Sequence, residues 1–142
     1  MTRVLGVDLG ARRIGVAICD DGRVLATPYE TVARCGNRTV EHGRILELLD
    51  ETGATAVVVG LPLSLDGSEN DATRSARSEV RGLQKRLRRE GRSVAVEMID
   101  ERLTTVTAHH QLHSAGLASR KHREVVDATA AAVLLQTWLD RG

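Results

Sequence analysis

Asp8, Glu101 and Asp127 are the residues of this 142-residue chain whose types and settings could do chemistry together. Each lies where an apolar run gives way to polar chain: Asp8 after Val4-Leu-Gly-Val7, Glu101 after Val94 to Ile99, and Asp127 ahead of the Ala- and Leu-rich C-terminal stretch. Carboxylates that converge repel one another unless a proton or a cation sits between them. Oxygen-only ligation suits hard cations such as Mg²⁺ or Mn²⁺, and Mg²⁺ favours a few carboxylates with water and substrate phosphate. Two such ions about 4 Å apart can activate a water and stabilise the leaving oxygen of a phosphodiester. Plainer uses exist for two of the acids. Asp127 near a helix start would favour the helix dipole, and Glu101 beside Arg102 could be a surface ion pair of little consequence. Asp8, flanked by glycines in an apolar setting, is costly to keep there without a partner.

The elements that must position these acids follow from pattern. Arg3 to Asp8 and Ile14 to Cys19 read as strands, and Asp20-Asp21-Gly22 is a hairpin turn into a third strand, Val24 to Val32. Short connections make the three antiparallel, and Pro28 puts the third at an edge. Ile45, Leu48 and Leu49 recur at helical spacing within Thr39 to Glu51, a helix that Gly53 stops. Ala54 to Gly60 is a continuous apolar run of the kind buried in a parallel sheet. Ser64 to Asn70 reads as a turn followed by an Asn or Asp cap.

The helix that follows carries an apolar stripe of Ala72, Ala76, Val80, Leu83 and Leu87 and a basic one of Arg74, Arg77, Arg81, Lys85 and Arg88. It ends near Gly91, and Val94 to Met98 is a fifth strand delivering Asp100-Glu101-Arg102. Thr104 caps a helix through Leu112, Ser114 to Arg123 is a basic loop, and Glu124 to Leu139 is a last helix with Asp127 in its first turn. This order predicts an α/β fold of RNase H-like type: a mixed five-stranded sheet, three antiparallel strands then two parallel, flanked by helices. Ligands on such sheets favour the carboxyl ends of the parallel strands.

Bulk composition narrows the function classes. A chain of this length is expected to form one domain over residues 1–142. With 42% hydrophobic and 27% charged residues it reads as globular, and no apolar run approaches the roughly 20 residues a membrane span needs. No signal peptide is expected at Met-Thr-Arg, so the cytoplasm is the expected location. Cys19 and Cys35 are too few and too irregularly placed for a disulfide framework or zinc knuckle. His109 and His113 have zinc-pair spacing but lack a companion Glu or Cys and read as polar-face residues. With Tyr29, Trp138 and no Phe, the chain lacks a base-stacking platform, so any nucleic acid is held by backbone and shape.

Four blocks, in order and spread over essentially the whole chain, resemble the YqgF family of Holliday junction resolvase-like or pre-ribosomal-RNA nucleases. They are Val-Asp8-Leu-Gly10 with Arg13-Ile-Gly15-Val-Ala17, Gly60-Leu-Pro-Leu-Ser-Leu-Asp66-Gly, Asp100-Glu101-Arg102-Leu-Thr-Thr105, and Asp127-Ala-Thr-Ala-Ala131. The resemblance implies an RNase H-like fold, a divalent-metal nuclease activity with Asp8, Glu101 and Asp127 as catalytic acids, and work on the 5′ end of small-subunit ribosomal RNA, with Holliday junction cleavage as the alternative. Ala11-Arg12 departs from the family's common Lys-Arg pair, while Arg13 is kept.

Phosphate contacts are expected from Arg13, from Arg120, Lys121 and Arg123 just before Asp127, and from Arg74, Arg77 and Arg81 of the basic stripe, although a solvated helix face is the commoner meaning of such a stripe. Expected partners are structured RNA or branched DNA and ribosomal precursor particles, with no membrane, for a monomer or homodimer. Two other functions fit the same residues. One is an actin-like ATPase lobe, opposed by the single-lobe length and by Ala11 where a phosphate-binding Ser or Thr is usual. The other is a non-catalytic nucleic-acid-binding assembly factor. Gly10 and Gly15 read as space for phosphate and metal beside the first hairpin.

Overall fold

The structure is a computed structural model that describes residues 3–103 and 120–141, the latter with side chains from residue 126 onward. The predicted helix from Thr104 to Leu112, His109 and His113, and residues 114–119 of the predicted basic loop lie outside the described residues. One five-stranded sheet organises the rest, in the spatial order β3-β2-β1-β4-β5. Strand β1 (Val4–Leu9) pairs antiparallel with β2 (Arg13–Cys19), and β2 pairs antiparallel with β3 (Ala26–Ala33). On its other side β1 runs parallel to β4 (Ala56–Leu61), which runs parallel to β5 (Ala95–Asp100). This is the mixed sheet the sequence predicts.

Pro28 does sit in an edge strand, and the ladder skips Tyr29 there, Val16 opposing Glu30 while Ala17 opposes Pro28. A residue without an N–H is accommodated by that bulge. The hairpin before it is longer than the Asp-Asp-Gly turn implies. Asp20 accepts hydrogen bonds from the backbone N–H groups of Val24 and Leu25, at 2.7 and 3.3 Å, which draws both residues into the turn and starts β3 at Ala26.

Helices cover both faces. α1 (Arg38–Thr52) is capped by the Asn37 side chain, which accepts from the Thr39 and Val40 N–H groups, and ends at Gly53 in the left-handed region at φ 72°. α2 (Asp71–Arg89) begins at a capping box in which Asn70 accepts from the Thr73 N–H and the Thr73 hydroxyl accepts from the Asn70 N–H. Both pack on the face formed by Leu5, Val7, Ile14, Val16, Val57 and Val59, with Val80, Leu83 and Leu87 inserted from α2. Ala72, predicted on the packed stripe, is exposed because it lies at the open N-terminal end of α2.

The opposite face belongs to α3 (Arg120–Asp140), whose Ala131, Ala132, Leu134 and Leu135 pack on Val4, Ala17, Ala56 and Val58. This helix starts four residues earlier than predicted: Arg120 to Arg123 are helical, not loop, and no residue in that run breaks a helix. Asp127 therefore lies about two turns in, beyond the first turn where a dipole stabilises an acid.

Candidate nucleic-acid cleavage site

Strand alternation decides which side chains reach α3. In β1 the Leu5 and Val7 side chains face α1 and α2, so Val4, Gly6 and Asp8 face α3. Asp8 pairs in register with Gly15, and Gly60 sits at the matching end of β4 opposite Ile99 of β5. Two of these glycines are demanded by close approach. A Cβ on Gly15 would lie 1.9 Å from the Asp127 carbonyl oxygen, and one on Gly60 would lie 2.4 Å from the Leu134 side chain and 3.5 Å from the Glu101 carboxyl carbon. The sheet is thus bare where α3 and Glu101 settle over it. The reading of Gly15 as space for phosphate is corrected, since that space is filled by the α3 backbone. Gly10 likewise serves the tight β1–β2 turn, where a Cβ would meet the Arg13 carbonyl oxygen at 2.5 Å.

Asp8 and Glu101 meet. Their carboxyl groups are hydrogen-bonded, and Asp127 is near enough to act on Asp8 through its charge. Burial, then the charge of Glu101 and the hydrogen bond with it, then the charge of Asp127 push the Asp8 carboxyl up to about 8 from an ordinary 3.8. Burial and the facing acids therefore favour a proton shared by the Asp8–Glu101 pair at neutral pH.

Glu101 is not the partner of Arg102. That guanidinium pairs with Asp100 at 2.6 Å, holds its carboxyl below the ordinary range, and donates to the Leu65 carbonyl oxygen at 3.2 Å. The surface-pair reading of Glu101 fails for that reason, and Arg102 instead ties the β4–α2 loop to the end of β5.

Asp127 has a cation of its own. Arg13, on the α3 side of β2, donates from Nε to Asp127 Oδ2 at 2.6 Å, both side chains about one-quarter exposed. The four predicted residues Asp8, Arg13, Glu101 and Asp127 are thus brought together at the carboxyl ends of β1, β4 and β5. Among the described residues, however, no three His, Cys, Asp or Glu side chains are grouped as a metal ion requires. Asp8 and Glu101 face each other while the Asp127 carboxylate is engaged by Arg13. As a donor set the three acids fit a hard cation: all oxygen and partly shielded from water.

The basic stripe is elsewhere. Arg74, Arg77 and Arg81 project from α2, in the layer across the sheet from α3. Arg74 is paired with Asp71 and Arg77 with Glu69 at 3.0 Å, whereas Arg81 has no ion-pair partner among the described residues. The side chains of Arg120, Lys121 and Arg123 lie outside the described ones, and their backbone places them one to two helical turns before Asp127.

Sequence reasoning missed a second charged cluster, on the α1 and α2 side. Arg34 binds Glu41 at 2.9 Å and Glu79 at 2.8 Å, and His42 Nε2 lies 2.9 Å from Glu79. Glu41, His42 and Glu79 are all buried. Burial pushes the Glu79 carboxyl up, but hydrogen bonds from His42 and Arg34 outweigh it and hold it down at about 2. A signal was present: Glu79 stands three residues after Ala76 and four before Leu83, on the apolar stripe, where a carboxylate requires a cation. The cluster floors a cavity of about 510 Å³ lined by Gly10, Arg34, Arg38, Pro62, Ser75 and Glu79. That cavity is not at the three acids, which lie on the other face of the sheet.

Comparison with known proteins bears on the family and the fold. Residues 2–141 match the RuvX family, described as Holliday junction resolvase. The chain belongs to the RuvX/YqgF family. RuvX relatives include a protein of Bifidobacterium adolescentis, 41% identical over 96% of each chain, and one of Maridesulfovibrio salexigens, 35% identical over 98% of each; both carry the provisional name pre-16S rRNA nuclease. Among solved structures, Thermus thermophilus RuvC in complex with a Holliday junction substrate aligns with a TM-score of 0.56 at 17% identity, covering 99% of this chain and 96% of that one. The yeast mitochondrial Holliday junction resolvase aligns at 0.55 with 9% identity, over 99% of this chain and 80% of that one. These two likenesses show the fold, and the RuvX chain shares the RNase H-like architecture expected of it.

Proposed function

We propose that this protein is a divalent-metal-dependent nuclease that hydrolyses phosphodiester bonds in structured RNA, processing the 5′ end of pre-16S ribosomal RNA. The observation that carries this reading is the facing Asp8–Glu101 pair, with Asp127 beside it, at the carboxyl ends of parallel strands. Two acids pressed together in a partly buried site lower the stability of an ion-free protein, and a function that needs negative charge there explains why they are kept. The names of relatives 35–41% identical support RNA as substrate.

In this reading Asp8, Glu101 and Asp127 hold Mg²⁺ or Mn²⁺. When bound, the ion supplies Lewis-acid stabilisation of phosphate oxygens and lowers the pKa of water. The chain's own residues do the rest. Asp8 gives up its proton on loading, Glu101 accepts that hydrogen bond until then, and Arg13 fixes Asp127 against β2. Arg120, Lys121 and Arg123 hold substrate phosphates ahead of Asp127, and Arg74, Arg77 and Arg81 offer a second basic face to a large substrate. The chain works as one domain in the cytoplasm, alone or as a homodimer, on ribosomal precursor particles. No helix among the described residues is long and apolar enough to cross a membrane.

The family's description favours a second substrate, a four-way DNA junction, whose paired cuts would call for a symmetric dimer. A side-by-side assay on a ribosomal RNA precursor and a four-way junction, with Mg²⁺ or Mn²⁺, separates the two. Metal-dependent cleavage of the RNA, lost to background in Asp8→Asn, is expected. An Asp8→Asn variant as active as the parent would overturn the assignment.

A further inference from the structure

We infer that Arg13 is an internal counter-ion that keeps Asp127 off the metal in the free protein and gives it up when a substrate phosphate takes the guanidinium. This rests on the reading of Asp8, Glu101 and Asp127 as metal ligands. Arg13 reaches Asp127 through Nε, at 2.6 Å, and that is the one hydrogen bond of its side chain among the described residues. Its two terminal nitrogens, the edge that matches a phosphate in a two-point contact, make no hydrogen bond among the described residues. The side chain is about one-quarter exposed, so an anion can reach it from solvent.

Asp127 meanwhile is fixed twice, its backbone against Gly15 and its carboxylate by Arg13, and the described acids form no group of three. A unit positive charge on the third ligand lowers the affinity of the site for a divalent cation. Drawing that charge toward a phosphate restores it, and linkage makes the effect reciprocal, so substrate and ion strengthen each other's binding through one guanidinium. Arg13 is therefore a positioning residue for Asp127 as well as a phosphate contact.

The test needs no turnover. Mn²⁺ affinity is measured by electron paramagnetic resonance for the parent, Arg13→Gln, Asp127→Asn and the double variant, each checked for an intact thermal melt. Arg13→Gln should bind Mn²⁺ at least 10-fold more tightly than the parent. Asp127→Asn should bind Mn²⁺ no more tightly than the parent, since it removes a ligand and leaves the Arg13 charge unneutralised. The double variant should lose the gain, which separates release of Asp127 from the mere removal of a positive charge. Arg13→Lys, which keeps a cation but not the fork, should fall between parent and Arg13→Gln and covers the case in which Arg13→Gln folds poorly.

A short RNA should then tighten Mn²⁺ binding more in the parent than in Arg13→Gln. A gain that persists in the double variant, or no gain in Arg13→Gln, overturns the inference. Failure of the underlying assignment looks different: Asp8→Asn would leave Mn²⁺ affinity unchanged in every background.

Discussion

One sheet carries two clusters of acids, one on each face, and they are balanced in opposite ways. On the α1 and α2 side, Glu41 and Glu79 are buried with Arg34 between them and His42 against Glu79, and the Glu79 carboxyl is held down at about 2. On the α3 side, Asp8 and Glu101 touch, Asp127 is paired with Arg13, and the Asp8 carboxyl is pushed up to about 8. Burial raises a carboxyl in both places. The partners determine the outcome, cations in one cluster and further acids in the other. The first cluster is complete as it stands and locks two helices to the β2–β3 layer. The second gathers acids against one another, an arrangement that a bound cation would relieve.

Removing one member of the complete cluster has the largest expected effect. Arg34→Ala strands two buried carboxylates and should cost about 3–5 kcal/mol in urea unfolding. Asp8→Asn relieves a clash of acids instead, so the metal-free variant should be at least as stable as the parent at pH 7.

The pH dependences should have opposite signs. Asp8 is raised in the folded state, so its contribution is fully present below about pH 4 and is lost as pH rises toward about 8. Glu79 is lowered from 4.5, so its contribution is present above about pH 4.5 and is lost as pH falls toward about 2. Thermal melts in a chelator should show the parent losing stability from pH 5 to pH 8 relative to Asp8→Asn. Glu79→Gln should flatten only the acid limb.

Smaller effects separate glycines that face the two layers. Gly15→Ala drives a methyl group into the Asp127 carbonyl oxygen and should cost about 1–3 kcal/mol, with loss of Mn²⁺ affinity as α3 shifts. Gly82→Ala in α2 meets nothing within 4 Å and should stabilise the protein by about 0.5–1 kcal/mol without changing metal affinity.

Much of the frame was legible in the sequence because its signals are local. The short Asp8-to-Ile14 and Cys19-to-Ala26 connections give the antiparallel trio, Val57-Val58-Val59 marks a buried parallel strand, and Asn70 with Thr73 marks a helix start. That Asp8 and Glu101 lie at one edge of the sheet was legible because each stands at or just after the end of a strand, whereas Asp127 lies about two turns into α3. The rest depends on packing between distant residues. Arg34 and Glu79 are 45 positions apart and meet only because α2 crosses β1 and β4. That Gly15 serves the α3 backbone, and that Arg102 serves Asp100 and Leu65 and not Glu101, follows from contacts that no spacing encodes. The α3 boundary was missed because Arg-Lys-His-Arg is as compatible with a helix as with a loop.

The claim that the α3-side acids await a cation is tested most directly by the protons released when Mn²⁺ binds. Calorimetric titration at pH 7 in two buffers of different ionisation enthalpy counts them. With the Asp8 carboxyl at about 8, the parent should release close to one proton per ion, and Asp8→Asn should bind weakly and release none. Mn²⁺ binding with no proton released, or with the same release in Asp8→Asn, would contradict the account.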